Sequence, residues 1–568
     1  MKNVFIAEKL EELADLLSIK EQGFRVRAYR QAAQTVRSLS TPIEEIAEQG
    51  DLQELPGIGS SIAKKIKELL DTGELTYYKK LKKEYPVEHQ KLLAVEGLGP
   101  KTLKLLYEEL GITTLEELEK AAKEHKIRDL PGMGEKSEQN LLNNIEFVKR
   151  FTGRKILGFI LPLAEKMSEK ISEQPYVQKV ALAGSIRRRK ETIGDLDFLV
   201  QTTQPQEMMN YFIKMDNVEK VIATGESKST VRLEQDLDAD LRVIPPESYG
   251  AALLYFTGSK EMNIILRRIA RDKDMKLNEY GLFKGEEQVA GKTEKEVFEK
   301  LGLDFIPPEL RENTGEVEAA QKGTLPDLLK YDDLRGDLQM HTTWSDGKHS
   351  IREMAEAAKE LGHEYIAITD HVGSLRVAGG MNEKEIQEQM RKIDRIDEEI
   401  EGIRILKGAE VNIDSKGELD MPNTILKDLD VVVASIHSGF RQGKEKMTAR
   451  VLSAMNNEYV DIIAHPTGRI IQEREGYELD FNTIFEKSKE TNTFLEINAY
   501  PNRLDLRDAK IRDAINHNCK LFINTDSHST EHLGFIILGI ATARRGWAEK
   551  KDILNTLPWK DVEKILQK

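Results

Sequence analysis

The stretch GSIRRRKETIGDLDFLV, residues 184–200, decides how the centre of the chain folds. Three arginines and a lysine follow Gly184 and Ser185, and two acids, Asp195 and Asp197, open an apolar run one residue apart. Successive side chains of a β-strand point to opposite faces, so residues two apart share one face. The spacing therefore predicts a strand that projects both carboxylates from the same side.

A third acid, Asp240, lies in the run LDADLRVI (237–244), where it is expected to begin another strand. If the two strands are neighbours, three carboxylates converge and could hold two Mg²⁺ ions. The side chain of Arg188 would then be close enough to bind a triphosphate. A solvated network of surface ion pairs is the alternative interpretation of this stretch taken alone.

Length and composition indicate a folded, multidomain chain. At 568 residues it is too long for one hydrophobic core, and its 32% of charged and 39% of hydrophobic residues are not those of a disordered protein. The single cysteine, Cys519, excludes an internal disulfide and suits a reducing compartment. The N-terminus MKNVFIAEKLEELADLL has the spacing of an amphipathic helix, and no apolar run approaches a membrane span. We therefore predict a cytoplasmic protein without a membrane partner.

The distributions of charge and histidine distinguish the two halves of the chain. The net charge is −14, but residues 1–315 carry 49 basic and 53 acidic side chains, so basic surfaces for nucleic acid are not excluded there. Nine of the eleven histidines fall between His341 and His532, in the more acidic half. Imidazoles and carboxylates together are ligands of zinc and manganese. We expect a metal site in this half.

A short pattern recurs three times in the first 150 residues, which are otherwise helical in pattern. The copies are LPGIGSSIAKKI (55–66), VEGLGPKTLKLL (95–106) and LPGMGEKSEQNL (130–141). Their glycines permit a tight turn, after which a new helix exposes free N–H groups that suit a phosphate oxygen. These candidate DNA-binding glycines are Gly57, Gly59, Gly97, Gly99, Gly132 and Gly134. One copy would fit a plain connection between helices, but three resemble the helix-hairpin-helix motif, which binds DNA backbones without reading sequence.

Beyond residue 150 the pattern changes from helices to mixed strands and helices. After a polar connector at 316–332, strand-like runs such as EYIAITDH (364–371) and LDVVVASIH (429–437) end in His, Glu, Asp or Asn. In parallel α/β folds the C-terminal ends of strands are where active-site groups collect. The last 240 residues or so are therefore predicted to form a βα barrel with a metal site at its mouth.

Taken together, these motifs resemble the family X DNA polymerases over residues 1 to about 315. GSIRRRKETIGDLDFLV is similar to the palm motif of that family, YFTGS (255–259) to its nucleotide-binding motif, and LNEYGL (277–282) continues the pattern. The resemblance implies that Asp195, Asp197 and Asp240 are catalytic metal ligands. It implies nucleotide-binding roles for Gly184, Ser185, Arg188, Gly194, Tyr255, Phe256, Gly258, Asn263 and Arg267.

The same resemblance covers the lyase-type domain that these polymerases carry at the N-terminus. Lys65 matches the lysine that forms a Schiff base with a 5′-deoxyribose phosphate. Such a lysine needs a lowered pKa, which Lys64 and Lys67 could supply as neighbouring cations. A second lysine of the family falls on Ser61, so the lyase activity is an open alternative.

Two further residues of this region, Arg25 and Tyr29 in GFRVRAYR (23–30), would suit a pocket for a DNA 5′-phosphate. A solvated helix face with a half-buried Tyr29 is the alternative interpretation.

The histidine-rich half resembles the PHP family of metal-dependent phosphoesterases over residues 333–568. The resemblance rests on GDLQMHTTWSDG (336–347), AITDH (367–371), GAEVNI (408–413), ASIHSG (434–439), IAHP (463–466) and NTDSH (524–528). It implies the metal ligands His341, Asp346, His371, Glu410, His437, His465, Asp526 and His528, with Glu410 bridging two metals. The family commonly opens with His-x-His, whereas this chain has Gln339-Met340-His341, which weakens the first metal position.

The two resemblances together imply a bacterial family X polymerase fused to a C-terminal PHP domain. The fold class is then multidomain α/β, with a helical helix-hairpin-helix region, a polymerase-beta-like nucleotidyltransferase palm and a distorted βα barrel. The expected segments are a lyase-type domain (1–80), helix-hairpin-helix fingers (81–150), the palm (151–245), a nucleotide-selection subdomain (246–315), a linker (316–332) and the PHP domain (333–568).

The implied function is base excision repair synthesis: template-directed, two-metal filling of short gaps, with 3′–5′ exonuclease and possible abasic-site cleavage by the PHP domain. Mg²⁺ or Mn²⁺ would serve the palm, and Mn²⁺ or Zn²⁺ the PHP domain. Gapped or primer–template DNA and deoxynucleoside triphosphates are the expected partners of a monomer. Two alternatives are a small-molecule phosphoesterase resembling histidinol phosphatase and a non-catalytic scaffold that binds DNA ends.

Overall fold

The computed structural model describes residues 2–20, 23–37, 43–93, 95, 97–151, 153–375 and 378–566. Contacts divide the chain into two compact units, Met1–Thr152 and Gly153–Lys568. Within the described ranges, every helix is too short or too polar to cross a lipid bilayer.

The first unit is entirely helical where it is described. Its α-helices are α1 (Lys2–Lys20), α2 (Phe24–Arg37), α3 (Ile43–Gln49), α4 (Ser60–Thr72), α5 (Thr76–Glu84), α6 (His89–Leu93), α7 (Pro100–Leu110), α8 (Leu115–Lys123) and α9 (Glu135–Phe151). α1 contacts each of the helices from α2 to α7, and Leu10, Leu13 and Leu17 are fully buried. A helix that packs on most of its sides must be apolar around most of its circumference, and α1 therefore lies at the centre of this unit.

The three sequence repeats adopt the same turn. The first glycine of each repeat has a positive φ, 77° at Gly57, 90° at Gly97 and 78° at Gly132. The second glycine directly precedes α4, α7 or α9, and no side chain caps the first two of these helices. A positive φ costs glycine little, and an uncapped helix start leaves N–H groups available to a ligand. The predicted turn-and-helix geometry is confirmed.

The second unit begins with a mixed sheet and three helices. These elements are β1 (Lys155–Ile156), α10 (Leu157–Ser172), β2 (Val177–Leu182), α11 (Gly184–Arg187), β3 (Thr192–Ile193), β4 (Asp195–Thr202), α12 (Pro205–Phe212), β5 (Val218–Thr224), β6 (Lys228–Leu233) and β7 (Leu237–Val243). Five strands form one sheet in the order β2-β4-β7-β6-β5, in which only β4 and β7 run parallel. Leu196 and Phe198 of β4 are buried in the core that contains Met209 and Phe212 of α12. Asp195 and Asp197 alternate with these two residues along β4, so their side chains face the opposite side of the sheet.

A second subdomain follows this palm sheet. It contains α13 (Tyr249–Thr257), α14 (Lys260–Arg271), β8 (Lys276–Asn278), β9 (Gly281–Lys284), β10 (Glu287–Ala290), α15 (Glu294–Leu301) and α16 (Glu316–Lys322). The three strands form an antiparallel sheet in the order β10-β9-β8.

The segment 316–332, which its polar composition predicts to be a linker, is packed. It contains α16, and Val317, Ala320 and Leu329 are buried. Glu316 is also fully buried, and its carboxylate accepts hydrogen bonds from the backbone N–H groups of Asn313 (2.7 Å) and Thr314 (2.6 Å). Because backbone donors satisfy the acid, a sequence that looks solvated can lie inside the fold.

The rest of the chain is a parallel barrel. Its strands are β11 (Gly336–Met340), β12 (Tyr365–Ile368), β13 (Arg404–Asn412), β14 (Val431–Ser435), β15 (Ile462–Ile463), β16 (Phe494–Asn498) and β17 (Leu521–Asn524). Its helices are α17 (Ile351–Glu360), α18 (Glu383–Glu399), α19 (Asn423–Leu426), α20 (Lys444–Met455), α21 (Phe481–Thr491), α22 (Asp508–Asn516), α23 (Ile536–Arg545) and α24 (Trp559–Leu566).

All seven strands of the barrel pair in parallel and in chain order. The first and last strands meet just beyond their ends, where the N–H of His341 donates to Ser527 O (2.7 Å) and that of Asp526 to Gln339 O (3.1 Å). Strands buried on both faces read as continuous apolar runs, which is why the sequence predicted them. The predicted βα barrel is confirmed.

Candidate active sites

The palm sheet brings the three predicted carboxylates to one face. In the parallel ladder between β4 and β7, Asp197 is paired with Asp240, and Asp195 precedes them on the same face of β4. Asp240 lies in the middle of β7, not at its start as the sequence indicates. Burial, together with repulsion from the other two acids, raises the pKa of Asp197 to about 7, and burial and Asp240 also raise the pKa of Asp195. The acids are close enough to oppose one another's ionisation.

Protein cations neutralise part of this acidic cluster. Lys228 Nζ lies 2.7 Å from Asp240 Oδ2, and Arg242 Nη2 lies 3.1 Å from the same oxygen. Thr230 Oγ1 donates to Asp240 Oδ1 at 2.5 Å. Sequence reasoning missed these residues. The contact of Arg242 with Asp240 could have been predicted, because residues two apart on one strand share a face. Lys228 lies on another strand, and no local pattern connects it with Asp240.

The loop before β4 lies directly over these acids. Gly184 has a φ of 64°, and a Cβ there would come within 2.7 Å of Asp197 Oδ2, so a glycine is needed. Ser185 is the second residue of the short helix α11. A Cβ at Gly194 would lie 3.2 Å from Arg154 Nη1, which is beside Asp195 at the other end of the loop.

Arg188 connects this loop to the YFTGS turn. Its Nε donates to Glu312 Oε1 (2.9 Å), and its Nη1 donates to the carbonyl oxygen of Thr257. A Cβ added to Gly258 would lie 3.1 Å from the same Nη1. The arginine that the sequence assigns to a triphosphate is therefore held beside the predicted sugar-binding turn.

The other predicted nucleotide-binding residues lie on the two helices that flank the turn at Gly258. Tyr255 and Phe256 stand edge to face at 5.1 Å near the end of α13, and the guanidinium of Arg242 lies 4.5 Å from the Phe256 ring centre. Asn263 Nδ2 donates to Tyr255 O (2.7 Å), and Arg267 Nε donates to Asn263 O (3.2 Å). Phe256 and Arg242 also line a cavity of about 750 Å³. These contacts bring the five side chains and the acids into one region.

The barrel brings all eight predicted PHP ligands together at the ends of its strands. Their ligand atoms form three groups, and the atoms within each group lie within 4.8 Å of one another. They are His341, Asp346, His371 and His528; His371, Glu410 and His437; and His341, Glu410 and Asp526. His465 Nε2 lies 3.2 Å from Glu410 Oε1, so it belongs to the same cluster. His341, His371 and Glu410 are each shared by two groups, which is the arrangement expected of a bridged metal site.

The cluster has the electrostatics of a ligand set. His341 is fully buried, and neither ring nitrogen makes a hydrogen bond although Nε2 lies 3.2 Å from Asp526 Oδ1 and 3.3 Å from Glu410 Oε2. Burial lowers the pKa of His437 to about 3, which keeps that ring neutral. Burial opposes ionisation of Asp346, but His528, His341 and His371 bring its pKa down to about 2. Burial opposes protonation of His341, but Asp526 and Glu410 raise its pKa well above the ordinary value, so a bound cation would displace that proton. Neutral imidazoles and ionised carboxylates are the forms that bind divalent cations, so the residues fit a metal.

Gln339 takes no part in these groups. Its side chain is fully buried, and its amide nitrogen donates to the carboxylate of Glu496. Glu496 also accepts hydrogen bonds from His465 N (2.8 Å), Asn498 Nδ2 (3.0 Å) and Asn524 Nδ2 (2.9 Å). The first metal position therefore lacks the ligand that a histidine would supply. Sequence reasoning missed Glu496, although it stands near the end of a strand as the ligands do.

The helical unit holds a separate polar cluster. Lys65 Nζ donates to Ser61 Oγ (3.1 Å) and lies over the rings of Tyr29 (5.8 Å) and Tyr77 (5.5 Å). Arg25 Nη2 donates to Tyr77 Oη (2.9 Å). Aromatic rings and a hydroxyl therefore contact Lys65 where the sequence suggested the cations Lys64 and Lys67, because α4 turns these two away from it.

Arg25 and Tyr29 line an open cavity of about 590 Å³ that also reaches Gly57 and Gly59. Tyr29 is buried, with only 4% of its surface exposed, so the interpretation of a half-buried ring on a solvated face is wrong. The cavity joins the candidate 5′-phosphate residues to the first helix-hairpin-helix turn.

Family models match four segments of the chain. They are a helix-hairpin-helix domain (residues 1–75), a SAM-like helix-hairpin-helix tandem (90–146), the DNA polymerase beta thumb (252–312) and the PHP domain (337–500). The helix-hairpin-helix and PHP resemblances inferred from the motifs are confirmed.

Similar proteins extend this result over the full length. DNA polymerase/3′-5′ exonuclease PolX of Bacillus subtilis (strain 168) is 39% identical over 568 residues, which is 99% of each chain. A probable phosphatase of Caldanaerobacter subterraneus subsp. tengcongensis is 37% identical over 172 residues, 29% of this chain and 63% of that protein. DNA polymerase lambda of Rattus norvegicus is 26% identical over 340 residues, 55% of this chain and 56% of that protein.

Proposed function

The chain belongs to the bacterial family X DNA polymerases that carry a C-terminal PHP domain, and on that premise we propose that it fills short gaps in DNA during repair. Its PHP domain removes nucleotides from 3′ ends and is also proposed to cleave at abasic sites. The observation that carries the polymerase assignment is the parallel ladder that pairs Asp197 with Asp240 beneath the Gly184 loop.

At the palm, the primer 3′-hydroxyl attacks the α-phosphate of a deoxynucleoside triphosphate, and pyrophosphate leaves. Mg²⁺ or Mn²⁺, when bound by the three carboxylates, supplies the charge neutralisation that this transfer needs. We assign Asp240 as the acceptor of the hydroxyl proton, and Ser185 and Arg188 as ligands of the phosphates. The contact of Arg188 with Thr257 supports the last assignment, because it keeps the guanidinium beside the sugar-binding turn.

Selection of the nucleotide is assigned to the two helices after the palm. Tyr255, Phe256 and Gly258 flank the sugar and disfavour ribose, while Asn263 and Arg267 reach the minor-groove side of the new base pair. Their mutual contacts support this grouping, because Asn263 is bonded to the backbone of Tyr255 and Arg267 to that of Asn263.

In the PHP domain, the eight clustered ligands are proposed to hold Mn²⁺ or Zn²⁺, which would supply Lewis-acid activation for phosphodiester hydrolysis. The shared carboxylate of Glu410 orients the two halves of the cluster, and Ser435 positions His437 through Nδ1 (3.2 Å). Hydrolysis of the terminal phosphodiester transfers a water oxygen to phosphorus and releases a nucleotide.

The helical unit is proposed to hold the DNA on either side of the gap. The uncapped helix starts after the first two glycine turns support binding of backbone phosphates. Arg25 and the cavity around it support a grip on the 5′-phosphate, with Lys65 as a candidate for lyase chemistry. We propose that the chain acts as a monomer on gapped or primer–template DNA, and its cytoplasmic location stays a prediction of the sequence.

A gapped duplex with a 5′-labelled primer tests the two main activities. With Mg²⁺ or Mn²⁺, we expect the primer to lengthen when nucleotides are present and to shorten without them. Asp195→Ala should abolish lengthening alone, and His437→Ala should abolish shortening alone. A primer that never lengthens, combined with turnover of a small phosphate ester, would instead support the phosphoesterase alternative.

Lyase chemistry needs its own test. Borohydride trapping of a 5′-deoxyribose phosphate end on the wild-type chain and on Lys65→Ala measures Schiff-base formation directly. We expect a trapped complex that Lys65→Ala abolishes and that Lys64→Ala preserves. Equal trapping by Lys65→Ala would assign the chemistry to another amine, and no trapping at all would leave Lys65 with a DNA-binding role only.

A further inference from the structure

Arg545, the last residue of α23 in the PHP domain, reaches into the palm. Its side chain is only 6% exposed. Nη1 donates to the carbonyl oxygen of Arg188 (2.8 Å) and to Glu312 Oε1 (3.2 Å), and Nη2 is paired with Asp508 Oδ2 (2.6 Å). Nη1 also makes a longer contact with the carbonyl oxygen of Glu309 (3.5 Å). A planar guanidinium presents several donors in a fixed fork, so this one side chain can bind the three closer acceptors at once.

Two of these acceptors belong to Arg188 or hold it in place, and the third, Asp508, lies in α22 of the PHP domain. The carbonyl oxygen belongs to Arg188 itself, which ends helix α11. Glu312 Oε1 is also the acceptor of Arg188 Nε (2.9 Å), and Lys190 Nζ lies 3.4 Å from Glu312 Oε2. Arg545 therefore contacts the backbone of Arg188 directly and the partner of its side chain.

Three cations share the single charge of Glu312. Burial alone would raise the pKa of this acid, but Arg545, Arg188 and Lys190 hold it below its ordinary value, so Glu312 is an anion at neutral pH. The three cations repel one another, so each of them is held beside the shared carboxylate less tightly than it would be alone. Without Arg545, Glu312 would form ion pairs with Arg188 and Lys190 alone, and each of these pairs would be tighter.

We propose that Arg545 is a positioning residue for nucleotide binding at the palm, supplied by the PHP domain. It fixes the backbone of Arg188 and pairs with Glu312. This pairing weakens the hold of Glu312 on the Arg188 guanidinium, which can then turn towards a triphosphate. The PHP domain thus completes the nucleotide site in addition to carrying its own metal cluster. This inference rests on the proposed function, in which Arg188 binds the triphosphate.

The neighbouring Arg544 offers a matched control. Its Nε is paired with Glu309 (2.9 Å), its Nη1 donates to Leu329 O (2.6 Å), and its guanidinium lies 5.1 Å from the Tyr331 ring centre. These contacts anchor α23 to the segments on either side of α16 without involving Arg188 or Glu312. Loss of Arg544 should loosen packing while the Arg188 network stays intact.

The test measures KM for a deoxynucleoside triphosphate and kcat on a gapped duplex, for the full chain and for Arg545→Ala, Arg545→Lys and Arg544→Ala. Primer shortening and the melting temperature are measured on the same preparations. We expect Arg545→Ala to raise KM about tenfold, the effect of one charge-assisted hydrogen bond, with kcat and shortening changed less than about twofold. Arg545→Lys should recover part of the KM, because one ammonium cannot bind all three acceptors.

A double-mutant cycle with Glu312→Gln tests the route of the effect. We expect Arg545→Ala to raise KM less in the Glu312→Gln background than in the wild type, and full additivity would exclude action through Glu312. An unchanged KM in Arg545→Ala, or an equal rise in Arg544→Ala, would overturn the proposal while primer extension by the wild type still stands. A wild-type chain that does not extend primers would instead contradict the proposed function itself.

Discussion

The two acidic sites of this chain differ in which neighbouring groups surround their buried carboxylates. In the palm, Asp195, Asp197 and Asp240 face one another, and the third forms direct ion pairs with Lys228 and Arg242. In the barrel, Glu410 lies among four imidazoles, those of His341, His371, His437 and His465. Burial and the neighbouring acids therefore raise the pKa of Asp195 and of Asp197, while burial of Glu410 is more than offset by the imidazoles, which bring its pKa well below the ordinary value.

The difference indicates when each site is assembled. Ligands that already neutralise one another form a site that exists before its metal arrives. Carboxylates that repel one another, or that are paired with a lysine, reach their working geometry when cations and a nucleotide neutralise them. We therefore infer that the PHP cluster is preformed and that the palm site is completed by its substrate.

The largest expected effect comes from Glu410→Gln. Removing a buried carboxylate that four imidazoles contact should lower the free energy of unfolding of metal-free protein by about 3 kcal/mol at pH 6.5. The pKa of Glu410 is lowered on folding, so its contribution is present above the unfolded value and is lost as pH falls through the folded one. Denaturant unfolding with a chelator measures this, and the exposed Glu383→Gln is the control. A loss below about 0.5 kcal/mol would contradict the preformed cluster.

The opposite sign is expected in the palm. Asp197→Asn should raise the free energy of unfolding by about 1–3 kcal/mol at pH 8 without metal, while abolishing primer extension. Because the pKa of Asp197 is raised to about 7, the cost of its charge is full above that pH and disappears towards pH 4. The gain in the free energy of unfolding should therefore decrease as the pH falls from about 7 towards 4. Asp216→Asn, at an exposed ion pair with Lys170, serves as control, and a destabilised Asp197→Asn would be evidence against mutual repulsion.

A smaller effect is expected from the lysine that holds Asp240. Lys228→Met removes a cation that a metal must displace, so half-maximal primer extension should need about fivefold less Mg²⁺. Lys220→Met, on the exposed strand β5, should leave the Mg²⁺ requirement unchanged. If Lys228→Met needed more Mg²⁺ instead, the lysine would be helping the metal site and not competing with it.

The smallest effect concerns the missing ligand of the PHP cluster. Gln339→His should tighten Mn²⁺ binding about threefold and increase primer shortening, since it adds an imidazole but gives up the hydrogen bond to Glu496. Gln339→Leu removes the amide without adding a ligand and should not tighten binding. Equal Mn²⁺ affinity for the wild type and Gln339→His would mean that the first metal position is complete without this side chain.

Regular patterns explain what the sequence could predict. Alternation along β4 placed Asp195 and Asp197 on one face, glycines marked the three turns, and strand ends marked His371, His437 and His465. Each of these signals is local, because it depends on the period of one element or on one turn. The barrel and the clustering of these side chains at its strand ends were therefore predictable.

Contacts between distant elements left no such signal. Lys228 lies on a strand, Arg545 on a helix and Glu312 in a loop, and any charged surface residue looks the same in a sequence. The surroundings of Lys65 were mispredicted for a related reason, since the rings of Tyr29 and Tyr77 come from α2 and α5. Burial of Glu316 was equally hidden, because the donors that satisfy it are backbone N–H groups.

Counting bound metal is the most direct test of a preformed and a substrate-completed site. The full chain, Glu410→Gln and Asp197→Asn would be dialysed against Mn²⁺ without DNA, with and without a deoxynucleoside triphosphate. We predict that bound Mn²⁺ without nucleotide is lost in Glu410→Gln and unchanged in Asp197→Asn, and that nucleotide adds metal only where Asp197 is present. If Asp197→Asn lost as much Mn²⁺ without nucleotide as Glu410→Gln does, the palm site would also be preformed and the contrast would be wrong.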